Sequence, residues 1–135
     1  MNLNEAFENA CSRFTGENFS TLSESDQILI AIWGLEADVN NGGFDQYYFN
    51  SSGNQAWFAP AALKKIGAHK MASIVDHANA IFDEAHPPVC REVRQAMLRR
   101  ITNANEDAWD LLTRKFQAYP DDIATLLTKH LGLPS

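Results

Sequence analysis

The sequence predicts an all-α fold, a compact single-domain bundle of seven or eight short helices, on three observations. Apolar residues recur at helical spacing in one segment after another. No segment sustains period-2 alternation, and no Asn-Gly turn lies between strand-like runs. The 135 residues, 45% of them hydrophobic, suit one domain over residues 1–135 with one core. A chain of this length buries about 68–70% of its unfolded surface, which is enough to fold without disulfides or a metal.

Leu3, Ala6, Phe7, Ala10, Cys11 and Phe14 fall on one stripe, so residues 3–15 read as an amphipathic helix that Gly16 stops. Thr21 with Glu24, or Ser23 with Asp26, offers a capping-box start for a second helix. Its run Ile28 to Leu35 is apolar all round, as in a buried central helix. Asn40-Asn41-Gly42-Gly43 breaks the chain, because Asn and Gly tolerate positive φ where a helix ends. Phe44 to Asn50 reads as a short aromatic helix, Ser51 to Asn54 as a turn, and residues 55–66 as a helix whose start Pro60 blurs. Gly67 ends it. Met71, Ile74, Val75, Ala78, Ile81 and Phe82 share a face. After His86-Pro87-Pro88, Pro88 opens a helix with Val89, Val93, Ala96, Met97 and Ile101 inward. Trp109, Leu112, Phe116 and Tyr119 define another, and Ile123, Leu126, Leu127 and Leu131 close the core after Pro120-Asp121-Asp122.

Charge narrows the partners. The net charge is −6, from 17 acids and 11 Lys plus Arg, which argues against direct binding of nucleic acid. The distribution is uneven. Residues 1–63 hold eight acids against Arg13 alone, a net of −7, whereas residues 64–100 are net +3 and residues 101–135 net −2. Charge runs are more often solvated helix faces than docking sites, and that bland account stands beside the functional one. The run Arg91–Arg100 reads as a second surface of opposite sign.

Cys11 and Cys90 belong to no CxxC pattern and fall on apolar helix faces, as in a reduced intracellular protein. The N-terminus has no basic region followed by an apolar one, and the longest apolar stretch is too short for a bilayer. The expected location is the cytoplasm, without membrane contact. His69 and His77 are eight residues apart, and prolines separate His86 from Cys90, so no metal-ligand spacing exists. No phosphate loop or nucleophile motif appears either. No cofactor, no metal and no catalysis are expected.

One stretch, residues 36–53, sets small polar residues and glycines between two very apolar helices. Five aromatics accompany it: Phe44, Tyr47, Tyr48, Phe49 and Trp57. In the structural reading, Asn41, Gly42 and Gly43 end the central helix, and Gln46 and Asn50 satisfy backbone groups at a buried corner. In the functional reading, Glu36, Asp45, Gln46 and Asn50 face a pocket lined by Tyr47, Tyr48 and Trp57. Helix-stop chemistry favours the structural one.

This stretch, NNGGFDQYYFNSSG, resembles the signature of a bacterial family named after an acidic DNA-mimic protein, otherwise described as a domain of unknown function. Asn41, Gly42, Gly43, Phe44, Gln46, Asn50 and Gly53 carry the likeness. It continues in residues 62–68 and 107–122, and so covers the chain from about Leu29 onward. The resemblance implies an all-helical homodimer whose surface carboxylates stand in for DNA phosphates and occupy the DNA-binding face of a transcription regulator. A face built to neutralise phosphates also accepts suitably spaced carboxylates, with marked salt sensitivity. Glu5, Glu8, Glu24, Asp26, Glu36 and Asp38 are the candidate partner-binding acids. An immunity or antitoxin-like partner of a basic toxin is the second reading, and a ligand-binding or enzymatic pocket at the Asn41–Asn50 corner the third.

Overall fold

The computed structural model describes residues 1–134. Its helices are α1 (Leu3–Arg13), α2 (Glu24–Phe49), α3 (Ala59–Lys65), α4 (His69–Asn79), α5 (Arg91–Gln117) and α6 (Ile123–His130). Single 3-10 turns occur at Phe19–Thr21, Ser51–Gln55 and Asp83–Ala85. No strand occurs among the described residues, so the all-α class holds. The helices are fewer than predicted, and two are long, at 26 and 27 residues. None of them is long and apolar enough to cross a membrane.

Helices α2 and α5 form the central pair. The α3–α4 hairpin packs on α2, with α4 also against α5, while α1 lies along α2 and touches α6. Between them sits an aromatic cluster of Phe44, Tyr47, Tyr48, Phe82, Trp109 and Phe116, all buried. Tyr48 meets Phe82 edge-on at 4.7 Å between centroids, and Phe44 meets Phe116 edge-on at 6.0 Å. Such contacts add about 0.5–1.5 kcal/mol each beyond the area they bury.

Helix α1 starts where the Glu5 N–H donates to Asn2 Oδ1 at 2.9 Å. It stops at Arg13, because Phe14 turns to extended backbone. Gly16, although at φ +93°, lies beyond that stop and does not make it. At the start of α2 the Ser23 hydroxyl accepts from the Asp26 N–H, so the second of the two proposed caps is used. Pro60 sits in the first turn of α3, and Gly67, at φ +92°, closes it. There the Ala68 N–H donates to Leu63 O and the Gly67 N–H to Lys64 O, the paired bonds of a left-handed helix stop.

The expected break at Asn40–Gly43 is present: Gly43 leaves helical geometry, with φ +85° and ψ −176°, and a second helical segment of α2 begins at Phe44. In α5 the inward face differs from the expected one. Val89 and Val93 are more than half exposed and Ala96 is exposed, while Met97 and Ile101 are half-buried. Arg94 and Leu98 point inward in their place. The helix then runs on without a break through Trp109 to Gln117, and Tyr119 lies outside it at φ +53°. Cys11 and Cys90 are both exposed, not on apolar faces, and Cys90 precedes α5 as its cap.

Candidate binding surfaces

The α2 kink is built from residues of the Asn41–Asn50 stretch. Two backbone groups flank the break at Gly43, the Phe44 N–H and the Val39 carbonyl. Both find partners on α5: the N–H donates to Thr113 Oγ1 at 3.1 Å, and Gln117 Nε2 donates to Val39 O at 3.1 Å. On the outer side a side-chain bridge spans the kink. Gln46 donates to Asp38 Oδ1 at 3.0 Å and accepts from Asn41 Nδ2, and Asn50 donates to the same Asp38 oxygen at 3.1 Å. Gly42 leaves the room this bridge needs, because a Cβ there would stand 2.0 Å from Gln46 Oε1.

Arg94 fastens the far end of the corner. Its side chain is fully buried, yet it has no carboxylate partner. Nε donates to Tyr48 O at 2.6 Å, Nη1 to Pro88 O and Val89 O, and Nη2 to Asn50 O and Asn54 Oδ1. Two of the acceptors, Tyr48 O and Asn50 O, are carbonyls at the C-terminal end of α2, where the helix dipole is negative, so the cation is partly neutralised without an acid. Burial nevertheless pulls its pKa below the ordinary arginine value. Gly53 packs on the guanidinium, and a Cβ there would meet Tyr47 O at 2.7 Å and Arg94 Nε at 2.8 Å. The supposed basic surface over Arg91–Arg100 therefore loses its central member to the core.

Tyr47 and Tyr48 are wholly inside the core and Trp57 is outside it, so the three do not line a common pocket. Tyr48 donates to Asn79 Oδ1 at 2.7 Å, and Asn79 in turn donates to Ala56 O. The Tyr47 hydroxyl has no partner, and burial drives its pKa far upward. Outside the corner runs an open groove of ≈ 620 Å³ edged by Gly42, Asp45, Gln46, Phe49, Gln95 and Arg99.

The six candidate acids fall into two sets. Glu5 and Glu8 on α1 are exposed, and Glu24 is exposed beside Lys65 at 3.5 Å. The other three are engaged within the fold. Asp26 is buried and holds Arg13 through two hydrogen bonds of 2.6 and 2.9 Å, which keep its carboxyl below the usual range. Asp38 belongs to the kink bridge. Glu36 accepts from the Tyr119 hydroxyl, and burial raises its pKa, with Asp122 adding to the rise.

Sequence reading missed a third acidic group. Asp45, just past the kink, has its pKa raised by burial and then by Asp110 and Glu106 of α5. Glu106 and Asp110 are one turn apart, so both project from the same side of α5. None of the three belongs to any of the four ion pairs among the described residues. Their four-residue spacing was visible, but their approach to Asp45 depends on how α2 and α5 pack. Among the described residues, no three His, Cys, Asp or Glu side chains converge so as to hold a metal ion.

A separate cleft of ≈ 340 Å³ opens between α1, α2 and α6. Its walls are Leu3, Trp33, Ala37, Ala124 and Leu127, with Asn4, Glu36 and Asn40 as its polar groups. Phe7 stacks on Trp33 at 4.1 Å with the rings 6° from parallel, which holds the indole in place.

The model of the DMP19-like protein family matches residues 20–131. The chain belongs to that family. The matched region contains the whole kinked corner, Arg94 and the Asp45 group. It begins after α1, so Glu5 and Glu8 of this DMP19-like chain lie outside it. No curated protein and no solved structure matches the chain.

Proposed function

We propose that this protein is an acidic regulator that works by binding another protein, not by catalysis. Its partner is a basic DNA-binding protein, such as a transcription regulator, whose DNA-binding face it occupies as a DNA mimic. The observation that carries the reading is the group Asp45, Glu106 and Asp110. Burial, and then Asp110 and Glu106 of α5, raise the cost of ionising Asp45, and none of the three carboxylates is in an ion pair among the described residues. A partner that brings cations relieves that repulsion, as it does when it meets phosphates. Family membership supports the same direction, and exposed Glu5 and Glu8 add charge at a second place.

A homodimer is part of this reading. Val93 and Ala96 on α5, and Val89 just before it, are exposed apolar residues, and this patch supports contact with a second copy.

The test is affinity capture from native lysate at low and high salt, with a duplex-DNA competitor and light scattering of the purified chain. The expected partner is basic, is released by salt and by duplex, and is lost when Asp45, Glu106 and Asp110 are changed together to Lys. A partner held equally at both salt concentrations, or one indifferent to the triple change, would refute mimicry. A salt-insensitive toxin would favour an immunity-type role. A monomer by light scattering would remove the dimer.

A further inference from the structure

We infer that the cleft between α1, α2 and α6 is a socket for the cationic side chain, arginine or lysine, of a protein partner. The charged end would sit on Glu36 and the aliphatic stem on Trp33, Leu3 and Leu127. The inference rests on the reading of this chain as a binder of basic proteins, but it concerns a different surface from the Asp45 group.

Three features of the cleft select this occupant. Its walls are apolar, as a methylene stem requires, and its volume of ≈ 340 Å³ lies at the low end of the range for ligand sites. Its one charged lining residue is Glu36, which is half-buried and has a hydroxyl donor, Tyr119, but no cation. No Lys, Arg or His lines the cleft, and the nearby Asp122 deepens its negative potential. A carboxylate without a counter-ion in an apolar setting is costly, and an incoming cation removes that cost. Trp33, held by its stack on Phe7, adds an aromatic wall against which a methylene stem can pack. Asn4 and Asn40 offer amide oxygens for the remaining N–H donors. An anion or a purely apolar ligand would leave Glu36 uncompensated.

The probe is a pair of capped tripeptides, acetyl-Gly-Arg-Gly-amide and acetyl-Gly-Lys-Gly-amide. They are titrated into the full 15N-labelled chain and followed by the Trp33 indole and the Asn4 and Asn40 amide signals. The neutral isostere with citrulline in place of arginine is the control. Both cationic peptides should shift the three reporters, and the citrulline peptide should bind at least ten-fold more weakly. Glu36→Gln should weaken binding at least ten-fold. Ala124→Leu, which fills the cleft from an exposed position on α6 and leaves Glu36 and Tyr119 intact, should abolish the shifts while the rest of the spectrum is preserved. Equal binding of the citrulline peptide, or shifts elsewhere on the surface, overturns the socket. Agmatine binding ten-fold more tightly than the arginine peptide also overturns it, since the occupant would then be a free small amine. The titration needs no natural partner, so it separates the two readings. A captured DNA-binding protein indifferent to Ala124→Leu overturns the socket and leaves the regulator standing. Peptide binding in the cleft with no basic partner captured upholds the socket and tells against the regulator.

Discussion

Replacing Arg94 by leucine tests whether the α2 corner is held by one guanidinium. The substitution removes five hydrogen bonds, to Tyr48 O, Pro88 O, Val89 O, Asn50 O and Asn54 Oδ1. The bond to Tyr48 O is fully buried, and orphaning that carbonyl costs about 1–3 kcal/mol. The Pro88, Val89 and Asn50 carbonyls are part-buried and regain water, so each forfeits only the net value of a charged hydrogen bond, roughly 1.5 kcal/mol at the low end. Against this, the folded state no longer has to desolvate a cation, a gain of a few kcal/mol on the order seen for buried charges. The balance is a loss of about 3–5 kcal/mol, at the upper end of the range for single substitutions and beyond. That is a large share of the roughly 5–15 kcal/mol typical of a whole domain. Arg94→Lys keeps the charge, but an ammonium has three donors against the five N–H groups of the fork, so it should lose about half as much. The assay is urea denaturation at 25 °C by far-UV circular dichroism, with an unchanged m-value as the check that only stability has moved. A leucine variant within about 1 kcal/mol of wild type would refute the reasoning, since that is the scale of an ordinary surface change.

Two further outcomes follow from the same structure. Gly43→Ala places a Cβ at φ +85° and ψ −176°, a region nearly exclusive to glycine, and brings it 3.2 Å from Thr113 Oγ1; a loss of about 1–3 kcal/mol is expected in the same assay, and a neutral result would mean the kink can relax. Arg13→Gln removes the partner that depresses the Asp26 carboxyl. A depressed carboxyl stabilises the fold above its unfolded pKa, near 3.8, and that contribution disappears as pH falls through the lower folded value. The variant should therefore differ most from wild type at neutral pH and converge with it in acid, by thermal melts across the acid range; a constant gap would discount the pair.

The class of the fold was legible because the apolar stripes of α1, α4 and α6 repeat at helical spacing and end in local stop signals such as Gly67. In α2 the break at Gly43 was legible in Asn40-Asn41-Gly42-Gly43, whereas the contacts with Thr113 and Gln117 that hold it were not. The length of α5 was not legible. In α5, residues 102–107 carry no apolar residue larger than alanine, so the stripe vanishes between Ile101 and Trp109. Thr102 and Asn105 there bond back to the carbonyls of Leu98 and Ile101 on the helix itself. Arg94 also occupies an inward position that a hydropathy pattern assigns to solvent, which leaves Val89, Val93 and Ala96 as the apparent core face in sequence. Of the candidate site, the break at Gly42-Gly43 was readable as helix-stop chemistry, but the side chains of Gln46 and Asn50 bond the Asp38 carboxylate and not the backbone groups expected of them. The Asp45 group and the Glu36 cleft were not, because each is assembled from residues on helices far apart in sequence.

The kinked corner also bears on how function travels through a lineage. Asn41, Gly42, Gly43, Gln46, Asn50 and Gly53 are occupied with holding that corner together, so a descendant that keeps them inherits a chassis. The outward carboxylates are under no such obligation. Two relatives can share the corner residue for residue and still address unrelated partners, and what distinguishes them will be written on the solvent faces of α1 and α5.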